Sequence, residues 1–163
     1  MIRSLALSYA ITLTATALSA VAFAADATGV RSRVFNGESL DGWHVTGCEV
    51  GIENGLLVIK DGNGFVRTDG RYRDFILELD YKPRKAEMYD AGIYIRCELP
   101  PEGKPWPSQY QVNLKQGDEL NLIKFPKGRS TGLIKAGDWN HVKLTVTADK
   151  AAMEINGKPA WET

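Results

Sequence analysis

The sequence predicts an antiparallel all-β sandwich. Many short segments alternate apolar and polar residues, which is the pattern of strands that bury one face. Glycine, asparagine and proline separate these segments at short intervals, as turns require. No stretch carries apolar residues at the spacing of an amphipathic helix. Together these observations favour two packed sheets over a helical or mixed fold.

The first residues predict a signal peptide. Arg3 precedes an uncharged apolar run from Leu5 to Phe23, and Ala22-Phe23-Ala24 is a small-residue cleavage pattern. The run nearly reaches the length of a transmembrane anchor, but it ends on the cleavage pattern rather than on basic residues. We therefore expect residues 1–24 to be removed and the protein to be exported, to the periplasm or the cell exterior. Residues 25–163 are expected to form one β-sandwich domain with a single core.

The charge balance limits the kinds of partner. The chain carries 20 Lys and Arg against 20 Asp and Glu. It has no basic surplus for nucleic acid or an anionic membrane, and no acidic excess of the kind that favours disorder. We therefore expect a neutral partner, no nucleic acid, and no membrane span once the signal is removed.

Cys48 and Cys97 allow two interpretations. In an exported protein they could form a disulfide across the core, or each could be a separate buried thiol. No CxxC motif or Cys/His cluster is present, so a structural zinc site is not expected.

The first half of the domain reads as short strands joined by tight turns. Asn54-Gly55 predicts a two-residue hairpin within residues 49–60. Gly62 to Gly64 predicts another turn, followed by a short strand over 65–68. The next strand, over 75–81, alternates strictly: its inward residues are Phe75, Leu77, Leu79 and Tyr81, and its outward residues are Ile76, Glu78 and Asp80.

Two central strands, over 90–96 and 109–115, carry the most informative side chains. Strand alternation places Tyr94 and Arg96 on one face, with Ile93, Ile95 and Cys97 on the other. In the second strand it places Tyr110, Val112 and Leu114 inward, and Gln109, Gln111, Asn113 and Lys115 outward. If the strands are neighbours, one face carries an arginine, a tyrosine and a row of carboxamides. Such a face is an ordinary solvated surface or the floor of a sugar site.

A proline-rich loop, 99–108, joins these strands because four prolines in ten residues exclude strand and helix. Trp106 at its tip is the better candidate for a sugar platform, whereas Trp43 ends a turn motif and is expected in the core.

The C-terminal part is irregular over 116–137, with a short strand predicted over 120–125. The segment 139–147 alternates again, with Val142, Leu144 and Val146 inward. Asn156-Gly157 predicts a last hairpin. The chain stops as its return strand begins, so we expect a sequence truncated at the C-terminus.

These landmarks resemble a known family. The segment Phe35-Asn-Gly-Glu-Ser-Leu-Asp-Gly-Trp43 resembles the Phe-Asn-Gly-x-x-Leu-x-Gly-Trp opening of the 3-keto-disaccharide hydrolase domain, long catalogued as a domain of unknown function. Further pieces follow in that family's order: Asp74 to Leu79, Ala91 to Arg96, Thr131-Gly132, Gly137 to Asn140, and Ile155 to Gly157. The Trp-Asn and Asn-Gly pieces also recur in laminin-G-like and legume-lectin-like sandwiches.

The resemblance implies a concanavalin-A-like jelly roll, laminin-G-like in its motifs, in an exported bacterial protein that acts on oxidised sugars. Its partner would be an oligosaccharide or glycoside. Two departures from the family's pattern stand out. Asp90-Ala-Gly92 replaces a common Asn-Ser-Gly, and Tyr110-Gln-Val-Asn113 replaces a common Tyr-Glu-x-Gln. Gln111 therefore stands where many members have a carboxylate, and a carboxamide takes up no proton.

A 3-keto sugar changes what the site must supply. Ordinary glycoside hydrolysis needs two carboxyl groups that face each other, whereas Glu78 and Asp80 point the same way from one strand. A ketone at C3 acidifies the C2 proton, so the glycosidic bond can leave by elimination, after which water adds. That needs one base and donors for an enolate oxygen. The base candidates are Asp80, Glu78, Asp90 and His141; the donor candidates are Arg96, Tyr94, Gln111 and Asn113.

The sequence therefore suggests Asp80, Glu78, His141 and Arg96 as catalytic, and Tyr94, Arg96, Gln111, Asn113 and Trp106 as substrate-binding. The alternative is that Arg96 is ion-paired, that His141 caps or cross-pairs, and that the carboxylates are simply the polar side of a strand. No cofactor is expected; Asp118 and Glu119 lack the spacing of a calcium cage, and participation of a divalent metal stays open. Three functions follow: a hydrolase of 3-keto-glycosides, a non-catalytic carbohydrate-binding module, or a structural sandwich.

Overall fold

The computed structural model describes residues 16–18, 23–25, 31–108 and 110–163, and this part of the chain is all-β. Its strands are β1 Thr16–Leu18, β2 Phe23–Ala25, β3 Arg31–Arg33, β4 Trp43–Glu53, β5 Leu56–Thr68, β6 Phe75–Pro83, β7 Gly92–Tyr94, β8 Gln111–Asn113, β9 Asn140–Thr147, β10 Lys150–Ile155 and β11 Lys158–Glu162. These described ranges contain no helix, and so none long and apolar enough to cross a membrane.

All strand pairs are antiparallel. The main path runs β11-β10-β9-β6-β1-β5-β4, and β2 pairs with β6 and carries β3. The hairpin-like pair β7–β8 forms a separate two-stranded sheet. The predicted antiparallel all-β fold is therefore confirmed.

One core lies between β6, β9 and β10 on one side and β7–β8 on the other. The inward residues predicted for β6 and β9 are all buried: Phe75, Leu77, Leu79, Tyr81, Val142, Leu144 and Val146. Ile93, Ile95, Val112 and Leu114 meet them from the opposite layer. Because each layer buries one face, its other face is left for function or for solvent.

Both predicted Asn-Gly hairpins are confirmed. Asn54 and Gly55 join β4 to β5 with φ of 55° and 79°, and Asn156 and Gly157 join β10 to β11 with φ of 52° and 77°. Left-handed backbone at both central positions is the signature of a type I′ turn, whose twist matches that of the strands.

The turn predicted at Gly62 to Gly64 was wrong. β5 runs unbroken from Leu56 to Thr68, and its pairing with β4 shifts register twice, between Thr46 and Cys48 and between Glu49 and Val50. A Cβ at Gly64 would lie 1.9 Å from the carbonyl oxygen of Thr46. The glycines therefore allow the two backbones to approach at a bulge, rather than turning the chain.

The central strands are shorter than predicted. Arg96 has φ of 54°, so regular pairing ends after Tyr94, although the Ile95 amide still donates to the Tyr110 carbonyl at 3.0 Å. The strand predicted over 120–125 is reduced to one bridge between Val112 and Leu122. This departure from regular strand decides where Arg96 points.

A buried amide joins the C-terminal loops. Asn140 is fully buried, and its amide nitrogen donates to the carbonyls of Lys135 and Asp138 at 3.0 and 2.9 Å. Its amide oxygen accepts from the backbone of Lys135 at 2.8 Å and from Nδ2 of Asn156 at 3.1 Å. This one side chain therefore ties the loop before β9 to the β10–β11 turn.

Most of the predicted signal peptide lies outside the described residues; within it, only β1 and part of β2 are described, by their pairing. Cys48 and Cys97 are both half-buried and are not joined by a disulfide. Cys97 packs beside Phe65 and Tyr94 rather than in the main core, and burial raises the pKa of its thiol to about 12.

Candidate functional site

Three cross-strand pairs form a polar ladder on the outer face of β7–β8. Tyr94 lies opposite Gln111 and Gly92 opposite Asn113. Backbone bonds from Leu114 to Ala91 and from Gln116 to Tyr89 continue the pairing beyond the regular strands. The ladder therefore consists of Tyr94 and Gln111, Gly92 and Asn113, and Asp90 and Lys115.

Gly92 lets the Gln111 side chain lie flat across the sheet. A Cβ at position 92 would lie 2.1 Å from Nε2 of Gln111 and 2.7 Å from its Cγ. Gly92 lies between Tyr94 and Asp90 along the strand. The Gln111 side chain starts opposite Tyr94 and its amide reaches Gly92, so it points along the ladder toward the Asp90 carboxylate. A carboxamide and a carboxylate thus border one short stretch of sheet.

Asp90 is the ladder's titratable carboxylate. Burial raises its pKa, and Lys115, with Nζ 3.7 Å from Oδ2, pulls the pKa partly back. Burial also raises the pKa of Tyr94 to about 12, and the negative charge of Asp90 adds a smaller contribution. A carboxylate with a raised pKa beside a lysine is suited to accept a proton.

Asn113 connects the ladder to the segment 116–130. It is 5% exposed, and Nδ2 donates to Oδ2 of Asp118 at 2.7 Å. The same carboxylate accepts from Asn121 at 2.5 Å and from Arg129 at 3.3 Å. Asn113 is on the predicted face, but its amide nitrogen is engaged in holding the 116–130 segment.

A cavity of about 310 Å³ opens at the Tyr94 end of the ladder. Its lining residues are Tyr94, Trp106, Pro107, Ser108, Tyr110, Gln111, Ile123 and Lys124. Trp106 is 40% exposed on the proline-rich loop, as predicted, and forms one wall of this space. We call it the Trp106 cavity. Tyr94 itself is only 4% exposed, so Trp106 and Gln111 are the groups by which this cavity could hold a ring such as a sugar.

The structure separates Arg96 from Tyr94 and Gln111. Nη2 of Arg96 donates to Oδ1 of Asp74 at 2.9 Å and to the carbonyl of Ala148 at 2.7 Å. Arg96 lines a different cavity, at the end of the sandwich. Its left-handed backbone is the reason, because strand alternation fails at a residue that leaves the strand.

Asp80, Glu78 and His141 also lie apart from the ladder. Their neighbours Leu79 and Val142 are in the core, so these polar side chains occupy the outer face of β6–β9. Oδ1 of Asp80 is 3.0 Å from Nδ1 of His141, and both side chains are about half exposed. The hydrophobic core lies between these three residues and the Tyr94–Gln111 pair.

Other parts of the site escaped the sequence analysis. Tyr110 was predicted inward but is 43% exposed, and it forms a tilted ring pair with Phe125, with centroids 5.4 Å apart. Ile123 and Lys124 come from a segment without periodicity, so no pattern signalled their place in the Trp106 cavity. The backbone of Lys124 is left-handed, with φ of 72°, at the turn that brings these two residues to the cavity.

Within the described residues, no three His, Cys, Asp or Glu side chains gather as a metal centre requires. The oxygens of Asp118 are occupied by Asn113, Asn121 and Arg129, and Glu119 accepts a short hydrogen bond from the hydroxyl of Tyr89. Neither carboxylate is turned toward a shared cation position.

Comparison with protein families gives a match. A family model described as a 3-keto-alpha-glucoside-1,2-lyase-like domain matches residues 31–163. No curated protein matches the chain. The matched range includes the polar ladder, the Trp106 cavity, and the outer face of β6–β9.

Proposed function

The chain belongs to the 3-keto-alpha-glucoside-1,2-lyase-like domain family, and we propose that it cleaves 3-keto-glycosides on the polar ladder. The observation that carries the proposal is the pairing of Asp90, with its raised pKa, and Lys115 on the same sheet face as Tyr94 and Gln111. A glycoside with a ketone at C3 needs such a base near C2.

The reaction divides into two balanced steps. A base removes the C2 proton, and the electron pair of the C–H bond passes to the C3 oxygen as an enolate. The enolate collapses to the ketone as a C1–C2 double bond forms and the C1–O bond breaks, and the leaving oxygen takes up the proton that the base removed, so that the alcohol is released. Water then adds at C1 and a proton returns to C2, which yields the free 3-keto sugar.

Residues on and near the ladder can serve as the base, as the hydrogen-bond donors for the enolate oxygen, and as the surface on which the sugar packs. Asp90 is the base in this proposal, and Lys115 and the Gln111 amide are the donors for the enolate oxygen. Trp106 stacks on the sugar or on its leaving half, where the indole offers a large and rigid apolar surface. Asn113 is a positioning residue, because its amide nitrogen bonds to Asp118.

The test is deuterium incorporation. The full-length protein is incubated in D₂O with a 3-keto-α-glucoside, and the product is analysed by mass spectrometry and NMR. Elimination and hydration place deuterium at C2, whereas direct hydrolysis leaves hydrogen there. Enzyme-free and Asp90→Asn controls correct for spontaneous enolisation. Release of the alcohol without deuterium at C2 overturns the proposed chemistry.

One observation favours a second function, a non-catalytic carbohydrate-binding module. Gln111 occupies a position where a carboxylate could otherwise hold a proton, and its amide lies across the sheet as a sugar-binding amide would. Under this alternative the protein binds the 3-keto-glucoside in calorimetry and releases no alcohol. Binding with turnover removes the alternative.

We also propose that the protein is exported after removal of residues 1–24. The supporting observations are Arg3, the uncharged run to Phe23 and the small residues up to Ala24. Removal would take away β1 and two residues of β2, Phe23 and Ala24. Amino-terminal sequencing of the protein recovered from the periplasm or medium tests this, and a mature chain that still begins at Met1 overturns it.

A further inference from the structure

A second cavity, of about 290 Å³, lies at the end of the sandwich where Arg96 leaves its strand. We call it the Arg96 cavity. Its apolar walls come from both layers of the fold: Ile95, Tyr110, Leu122 and Phe125 from one side, and Val146 and Ala151 from the other. It therefore reaches toward the core instead of lying on a flat surface.

The one arginine of this cavity is already neutralised. Arg96 is ion-paired with Asp74 at 2.9 Å, and its side chain is only 22% exposed. The hydrogen bond from the Ala148 amide and that from Arg96 hold the pKa of Asp74 below its usual range, so Asp74 is ionised at neutral pH. Asp149 and Lys150 also line the cavity and carry opposite charges, so the cavity has no surplus of either sign that would attract a charged ligand.

Tyr110 links the two cavities, because it lines both. Gln111 and Ile123 face the Trp106 cavity, while the neighbouring Leu122 and Phe125 face the Arg96 cavity. The two cavities therefore adjoin at Tyr110, so a group bound in the Trp106 cavity lies next to the Arg96 cavity.

We propose that the Arg96 cavity binds the leaving half of the substrate, and that this half is an uncharged aromatic or bulky apolar alcohol instead of a second sugar. The inference rests on the proposed function and names its substrate class. The Tyr110–Phe125 pair, at 5.4 Å and 59°, offers an edge and a face to a third ring.

The volume agrees with this class. An apolar cavity of ~150 Å³ in another protein binds benzene, and the Arg96 cavity, at about 290 Å³, is larger. A fused two-ring group fits the space, and burying its surface contributes free energy at ~25 cal/mol per Å². A second sugar would find hydrogen-bonding side chains at Tyr110, Asp149, Lys150 and Thr163, but it would also bring hydroxyl groups against Leu122, Val146 and Ala151, which offer none.

The experiment compares two 3-keto-α-glucosides whose leaving groups are both primary alcohols, 2-naphthylmethyl and ethyl. In wild type we expect kcat/KM to be at least about tenfold higher for the naphthylmethyl substrate, which corresponds to ~1.4 kcal/mol. Two variants change the cavity in opposite ways: Phe125→Ala removes a wall, and Ala151→Leu fills the space. Both are expected to abolish the preference, so that the ratio of kcat/KM for the naphthylmethyl substrate to kcat/KM for the ethyl substrate falls below about twofold.

A binding measurement separates this inference from the proposed function. 2-Naphthylmethanol alone is titrated into wild type and both variants by calorimetry, and unfolding of each variant is followed by circular dichroism to verify folding. Binding that Ala151→Leu removes supports the cavity assignment even if no 3-keto-glucoside is cleaved. Equal kcat/KM for the two substrates in wild type, or naphthylmethanol binding that neither variant alters, overturns it.

Discussion

The two outer faces of the sandwich carry similar chemistry in different surroundings. On β7–β8, Asp90 lies 3.7 Å from Lys115, and on β6–β9, Asp80 lies 3.0 Å from His141. Each pair joins an aspartate to a basic residue across two antiparallel strands. By sequence alone, the second pair was the preferred candidate for catalysis: Asp80 and His141 were suggested as catalytic, whereas Asp90 was only one of four possible bases and Lys115 had no assigned role.

The surroundings distinguish them. Asp90 shares its face with the Trp106 cavity, which the proline-rich loop and the 123–124 segment enclose, and burial raises its pKa. The two pairs are nevertheless equally exposed: Asp90 and Lys115 at 44% and 58%, Asp80 and His141 at 50% and 51%. What distinguishes Asp90 is therefore the cavity that opens farther along its own sheet face, at the Tyr94–Gln111 pair.

The largest effect is expected when each of the two carboxylates, Asp90 and Asp80, is removed in turn. Asp90→Asn is expected to lower kcat for a 3-keto-α-glucoside by ~10²–10⁴-fold, the usual contribution of a general base. Its matched control, Asp80→Asn, is expected to retain kcat within about twofold. Initial rates of alcohol release measure both. The reverse ranking would move the active face to β6–β9.

Gly92→Ala should separate site geometry from stability. The backbone at Gly92 is not left-handed, so alanine is tolerated there, but its Cβ would displace the Gln111 side chain. We expect kcat/KM to fall by ~10²-fold, as displacements of about 1 Å in active sites do. The midpoint of urea unfolding should hardly change. A variant that unfolds easily, or one with full activity, contradicts the assigned place of Gln111.

Lys115→Met should move the acid limb of the pH profile. The charge of Lys115 lowers the pKa of Asp90 against the effect of burial, so its removal raises that pKa. Because the base acts only when deprotonated, kcat/KM is lost as pH falls through the pKa, and the limb shifts to higher pH. Lys158→Met, on β11, is the control and should leave the limb in place. An unshifted limb in Lys115→Met rules out Asp90 as the base.

The smallest effect is expected at His141. His141→Gln removes the interaction with Asp80 from an exposed pair, which typically contributes ~0–1 kcal/mol to the free energy of unfolding. We expect kcat unchanged and a stability change within ~0.5 kcal/mol by urea titration. A tenfold loss of kcat in this variant would make the two faces functionally alike.

Much of the fold could be predicted because strand alternation and Asn-Gly turns are local signals. The inward faces of β6 and β9 and both type I′ hairpins follow from residues within a few positions of each other. The bulge at Gly62 and Gly64 could not be predicted, since the close approach to Thr46 is a long-range contact. A glycine pair reads as a turn in either case.

The site was predicted less completely. Alternation correctly placed Tyr94, Gln111 and Lys115 on one face, but it failed at Arg96, whose left-handed backbone has no signature in an Ile-Arg-Cys sequence. Nor could alternation reveal which outer face the loops enclose. That depends on where the 116–130 segment folds back, which is determined by the contacts of Asp118 with distant residues.

The buried amide of Asn140 connects two of the sequence motifs on which the family resemblance was based. It bonds directly to Asn156, so the Trp-Asn and Asn-Gly pieces, separate in sequence, form one structural joint. These pieces belong to the scaffold, and neither touches the polar ladder. Residues of the ladder, between positions 90 and 115, can therefore be exchanged while this joint stays intact.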